Sequence, residues 1–384
     1  MPGEDSETRR NCIPIIHTRG THYEVGFDVG RTFSGIIQNF LKIADYLQAY
    51  LRAYETPEGR KGYEDTLNSV KNSFPQYIRE LEGVADGAGV PFHQLFLLHM
   101  DDIILAAAKT NIIGEPTGCS TICINENGNE LLGHTEDALA CTMNHYYFVS
   151  AHIISEEPQG KWGVKEEKFT SLCYAGHLPG YTMSYNHHGL VFSINTLSSK
   201  NLRPGKIPRY FITRALLAAK NFVEAQQILR DTGCGVADGC SVNMTFLKQE
   251  GDRVFHNAEI APPLDDSNES RLNILTISPQ ECIYHVNSYL RLKESESNER
   301  MLDSSIARLK TFEEYKKPKN KEDLKRMLSD IQHNKHRVFR SQIGDHVKTI
   351  CVGIFDLVER TLSLYSDRPI ENDPIVVLPL DILK

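Results

Sequence analysis

Pro116-Thr117-Gly118-Cys119-Ser120-Thr121-Ile122-Cys123-Ile124 and, after a turn at Glu126-Asn127-Gly128, Leu131-Leu132-Gly133-His134-Thr135-Glu136-Asp137 read together as a β-hairpin. Both arms are rich in β-branched and apolar residues, and an Asn-Gly pair joins them. A Gly directly before a Cys at the start of a strand offers a backbone that adopts strained dihedrals, which an attack of the Cys119 thiol on the Gly118 carbonyl requires. Such an attack cuts the chain between Gly118 and Cys119. It leaves on Cys119 an α-amine whose ordinary pKa is about 7.7–8.0, close enough to neutral to take the thiol's proton. One residue then carries nucleophile and base together. The tripeptide alone reads more readily as a buried, inert thiol, so its surroundings must decide.

Upstream, residues from Thr21 to about Ala108 carry apolar positions three and four apart, a helical layer in which Gly87 and Gly89 supply a stop. A short loop, 111–118, leads into the hairpin. Downstream, 120–125, 130–137, 147–154, 171–176, 181–186 and 189–195 are short β-rich runs separated by turn residues, which predict one antiparallel sheet. Helical pattern returns at 208–231, strands at 242–249, 253–260 and 273–277. A charged helical stretch runs from about Glu294 to Gln332, its lysine-rich part 313–326 reading as a solvated helix, and a last hairpin covers 348–357 and 360–367. Runs of strands alternating with runs of helices predict an α+β protein with helices over stacked sheets. No linker divides it, so one folded domain is expected.

The 384 residues, 40% hydrophobic and 24% charged, suffice for a sizeable core. A net charge of -8 argues against a nucleic-acid or anionic-membrane partner, and no apolar run is long enough to span a bilayer. The N-terminus shows no secretory pattern, so a cytoplasmic location is expected and the nine cysteines should be reduced thiols. Cys119 with Cys123, and Cys234 with Cys240, lack zinc-ligand spacing, so no metal is expected. Asn243-Met244-Thr245 and Asn268-Glu269-Ser270 are read as chance glycosylation matches.

Long stretches carry a resemblance beyond the hairpin: 13–33, 74–99, 116–121, 131–139, 144–154, 171–196 and 348–367. In these the chain resembles the isopenicillin-N acyltransferase family of N-terminal nucleophile hydrolases, and within it an insect branch acting on β-alanyl amides. The resemblance implies a four-layer αββα fold. It implies self-cleavage into a small subunit, 1–118, and a large one, 119–384, that stay together. It also implies hydrolysis, without cofactor, of N-β-alanyl-dopamine and of carcinine (β-alanyl-histamine), amides tied to cuticle pigmentation and to histamine recycling in photoreceptors. Acyl transfer between an amine and CoA, or a non-catalytic relative, are the alternatives.

Asp137 matches an acidic position of the family and is the candidate to hold the free α-amine of Cys119; a surface turn carboxylate is the other reading. Asn195 and Asn243 resemble the family's oxyanion donors, or merely satisfy backbone groups. His134, Glu136 and Lys348 are candidate substrate contacts, although a strand-end lysine also suits water. The substrate's ammonium calls for a carboxylate, for which Glu136, Asp101 and Asp102 are candidates. Tyr181 and the aromatics of 144–148 are candidates to stack on the amine's ring. His187 and His188, adjacent before a turn, should point to opposite faces.

Overall fold

The computed structural model of the chain describes residues 9–110, 118–296, 299–342 and 344–381. Strand β1 (Ile15–Gly20) leads into helices α1 (His22–Thr32), α2 (Ser34–Ile43), α3 (Asp45–Glu55), α4 (Pro57–Ser73), α5 (Pro75–Ala88), α6 (Phe92–Met100) and α7 (Asp102–Ala107). This is the expected helical layer with a strand added in front. Thr21 and Glu24 close a capping box on α1, which fixes where it starts. Gly89, at φ 65°, ends α5 as expected. Gly87 does not: it lies inside α5, where a Cβ would come 2.2 Å from the Phe27 carbonyl oxygen. With Gly26, Gly30 and Gly83 it lets the backbones of α1 and α5 touch.

The remainder runs β2 (Gly118–Glu126), β3 (Asn129–Leu139), β4 (Tyr146–Gln159), β5 (Val164–Tyr174), β6 (Ser184–Asn186), β7 (Leu190–Leu197), α8 (Arg209–Leu216), α9 (Phe222–Arg230), β8 (Gly239–Phe246), β9 (Phe255–Ala261), β10 (Arg271–Ile277), β11 (Glu281–His285), α10 (Glu299–Glu314), α11 (Lys321–Leu328), β12 (Val347–Asp356), β13 (Thr361–Tyr365) and β14 (Val376–Pro379). The loop expected before Gly118 falls at 111–117, outside the described residues.

The strands do not form one sheet. They divide into an eight-stranded sheet, ordered β1-β4-β5-β6-β7-β8-β9-β10, and a six-stranded sheet, ordered β11-β2-β3-β12-β13-β14. Strand β1 pairs in parallel with β4, Ile15 opposite Phe148, so the N-terminal segment is built into the large sheet. Period-2 alternation sends the apolar residues of the hairpin to two different cores. Cys123 and Leu132 meet Phe148, Leu172 and Met183 between the sheets. Ile122, Ile124 and Leu131 face outward onto Phe312 of α10 and Leu324 and Leu328 of α11. A third core joins the helices of the first hundred residues to the other face of the large sheet. The layers are therefore helix, sheet, sheet, helix, the four-layer α+β arrangement expected.

Arg214 of α8 ties the helical layer to the large sheet. Fully buried, it bonds Glu80 of α5 (2.7 Å) and Glu167 of β5 (2.5 Å), while His22 Nδ1 lies 2.8 Å from Glu80. Burial works against ionising Glu80, but Arg214 and then His22 outweigh it and bring its carboxyl down to about 2.

Candidate active site

The hairpin register sets Cys119 opposite Glu136 and Thr121 opposite His134. All four side chains fall on the face turned toward the large sheet, and form a buried chain. Glu136 Oε1 is 3.6 Å from the Cys119 Sγ and accepts from the Tyr174 hydroxyl of β5. His134 Nε2 lies 3.1 Å from Glu136 Oε2, and its Nδ1 lies 2.7 Å from Thr121 Oγ1. Thr121 in turn reaches Asn195 Oδ1 at 3.0 Å.

Asp137 and Gly118, one residue on, face the outer helices. Asp137 Oδ1 accepts from Thr349 Oγ1 at 2.6 Å, and Oδ2 lies 3.7 Å from Arg340 Nε. The group beside the Cys119 nitrogen is instead Asn287, whose Oδ1 accepts from that N–H at 2.8 Å. Arg308 of α10 bonds the same Oδ1 (2.7 Å), the Cys119 carbonyl (2.6 Å) and Ser120 Oγ (2.9 Å). Gly118 has an ordinary extended backbone, not the strained one expected. Its lack of a side chain matters for space, since a Cβ would stand 3.0 Å from Asn287 Oδ1 and 3.3 Å from Arg308. Neither Asn287 nor Arg308 is a sequence candidate; Arg308 sits in the charged helical stretch, yet it is fully buried.

Burial, then the charges of Glu136 and Asp137, push the Cys119 thiol well above its usual range, while the backbone N–H of Asp137 favours the thiolate. Burial also raises the Asp137 carboxyl against the pull of Arg340 and Arg308, and burial beside Arg340 lowers Arg308 to about 9.

Cys119 opens onto a cavity of about 490 Å³. Glu136, Asp101, Asp102 and Tyr181 line it, with Tyr46, Tyr50, Tyr174, His177 and Tyr210. Asn195, Asn243, His134 and Lys348 are not on its wall. Asn195 Oδ1 accepts from Asn243 Nδ2 at 2.7 Å, so the expected oxyanion pair lies behind Thr121. Asn195 keeps a buried Nδ2 with no partner among the described residues, whereas Asn243 is engaged on both atoms and buried beyond any glycosylation. Lys348 pairs with Ala138 and is half-buried. The aromatics Tyr146, Tyr147 and Phe148 are core residues. The rings of His187 and His188 do not point to opposite faces; they lie 3.7 Å apart, tilted by 40°, at the turn where Gly189 has φ 95°.

Cys119, His134 and Glu136 each present a ligand atom within 4.8 Å of the others, the group of this kind found among the described residues. An ion there would occupy the thiol itself. Each of the nine cysteines is free, and among the described residues no helix is long and apolar enough to cross a membrane.

The sequence profile of the acyl-coenzyme A:6-aminopenicillanic acid acyl-transferase family matches residues 123–371. The chain belongs to this family. The match begins four residues after Cys119, within the same strand. A β-alanyl-dopamine/carcinine hydrolase of Drosophila melanogaster is 56% identical over 377 residues, 97% of each chain. Protein dcd1A of Dictyostelium discoideum is 26% identical over 263 residues, 61% of this chain and 57% of that protein.

Proposed function

We propose that the protein is a self-processing cysteine amidohydrolase that cleaves N-β-alanyl-dopamine and carcinine to β-alanine and the free amine. The observation that carries this reading is Cys119 on the wall of an aromatic, carboxylate-lined cavity, in a chain 56% identical to a hydrolase of those two amides. Self-processing begins when Cys119 Sγ attacks the Gly118 carbonyl carbon. The C–N bond breaks, the nitrogen takes the proton, and water hydrolyses the thioester. Strand β1, paired to β4, and the helices packed on the large sheet keep residues 1–118 bound after the cut.

In the processed enzyme the α-amine of Cys119 stands where its amide nitrogen now meets Asn287 Oδ1. The amine removes the thiol proton as Sγ attacks the substrate's acyl carbon. The raised thiol pKa makes this base necessary, because little thiolate exists before attack. Collapse of the tetrahedral adduct expels the amine, which receives the proton, and water releases β-alanine from the thioester. Asp137, held by Thr349 and Arg340, acts behind the strand as a positioning group. The enzyme works in the cytoplasm, where its nine free thiols stay reduced. There it supplies dopamine for cuticle pigment and returns histamine in photoreceptors.

Purified protein should separate by mass into residues 1–118 and 119–384, and Cys119→Ala should stay whole. The processed form should release dopamine and histamine in step with β-alanine, without CoA. Processed protein that turns over neither amide, or only in the presence of CoA, would overturn this assignment.

A further inference from the structure

The cavity has two acidic poles. At one, Glu136 stands 3.6 Å from the Cys119 Sγ. The wall between the poles is aromatic: Tyr174, bonded to Glu136, lies 5.8 Å from His177, which lies 5.3 Å from Tyr210, itself 4.0 Å from Tyr181. Arg209 covers that last pair and bonds Asp101 at 2.6 Å. The second pole is Asp101 with Asp102, at the junction of α6 and α7.

Covalent geometry assigns the poles. With bonds of about 1.5 Å, the ammonium of a β-alanyl group lies within about 4 Å of its acyl carbon. Once that carbon is at Sγ, the ammonium reaches Glu136, while the amine's ring extends along the aromatic wall. Resting on the hydrolase reading above, we infer that Asp102 is the specificity-determining residue for the leaving amine, accepting hydrogen bonds from the polar edge of its ring. A catechol offers hydroxyl donors and an imidazole an N–H, which is the chemistry the two amines share.

Three observations support this. Asp101 is satisfied by the Tyr50 hydroxyl (2.6 Å) and Arg209, whereas Asp102 has no hydrogen-bond partner among the described residues and lines the cavity. Arg209 pairs with Asp101 and Asp238 and not with Asp102; burial and then Asp101 lift Asp102 to about 7. Such a carboxyl gains most from an incoming donor. Asp101 also holds φ 51°, ψ -134°, a backbone conformation that persists only where the surroundings impose it.

The test compares processed wild type and Asp102→Asn on the β-alanyl amides of dopamine, of histamine and of phenethylamine, whose ring has no donor. Wild type should prefer the first two by about 10- to 100-fold in kcat/KM, mostly through KM, as one or two charge-assisted hydrogen bonds allow. The variant, checked for self-processing by mass and for folding by thermal melt, should bring that preference within about threefold, and free histamine and dopamine should inhibit it correspondingly less. Wild type that takes the phenethylamide equally well, or a variant that loses the same factor on all three, overturns the inference while leaving the hydrolase standing. No turnover of any of the three by processed wild type overturns the hydrolase reading and this inference with it.

Discussion

Asn287 Oδ1 accepts a hydrogen bond from the backbone nitrogen of Cys119 at 2.8 Å, across 168 residues of chain. The same oxygen accepts from Arg308, so the nitrogen proposed as the catalytic base is held by an amide that a guanidinium in turn fixes. Asn287→Ala should therefore slow turnover by about 10- to 100-fold, the value of a hydrogen bond to a charged group. Asn287→Asp, which keeps the acceptor, should recover part of it. Steady-state kcat on processed protein checks both, and an unchanged kcat in Asn287→Ala would remove Asn287 from the mechanism.

Zinc should inhibit. Cys119, His134 and Glu136 offer a thiol, an imidazole and a carboxylate within 4.8 Å of one another, the donor types zinc takes. Inhibition should reverse with chelator, block thiol labelling of Cys119, and need at least about tenfold more zinc in His134→Gln. Chelator alone should leave untreated enzyme at full rate; a loss would point to a resident metal.

Arg214→Met should cost about 3–5 kcal/mol, because Glu80 and Glu167 would stay buried without their cation. Denaturant midpoints measure it. The sign with pH follows from Glu80, whose carboxyl falls from an ordinary value near 4.3 to about 2 in the fold. Its stabilisation is present above about pH 4.3 and is lost as pH drops through 2, so the wild-type advantage should shrink over that window.

Asp102 predicts the opposite slope. Its carboxyl rises from about 3.9 to about 7 on folding, so the folded state holds the extra proton between those values. The stability it contributes is complete below about pH 4 and gone above 7. Thermal melts of the ligand-free protein should fall across this range, and Asp102→Asn should flatten the fall.

The α+β class, the helical layer and the hairpin were legible because they rest on local signals: periods of 3.6 and 2, caps, and an Asn-Gly turn. Local pattern could not say which sheet each strand joins, since the strands of 120–195 look alike yet divide between two sheets. Nor could it find Arg308. A guanidinium in a charged helix resembles every solvated neighbour until the fold buries it against Cys119.

The sequence by itself determined the candidate nucleophile and its near neighbours. The glycine before Cys119 and the register of a short hairpin bring Glu136 and His134 to the same face, for they depend on nothing more distant than eighteen residues of pleated chain. Only the tertiary structure decided what surrounds them. Strand alternation turned Asp137 away toward Thr349 and Arg340, stacking of the sheets placed Asn195 behind Thr121, and β11 with α10 carried Asn287 and Arg308 to the Gly118–Cys119 bond. Those contacts join residues far apart in the chain, and they form only because apolar faces without local order pack into one set of layers.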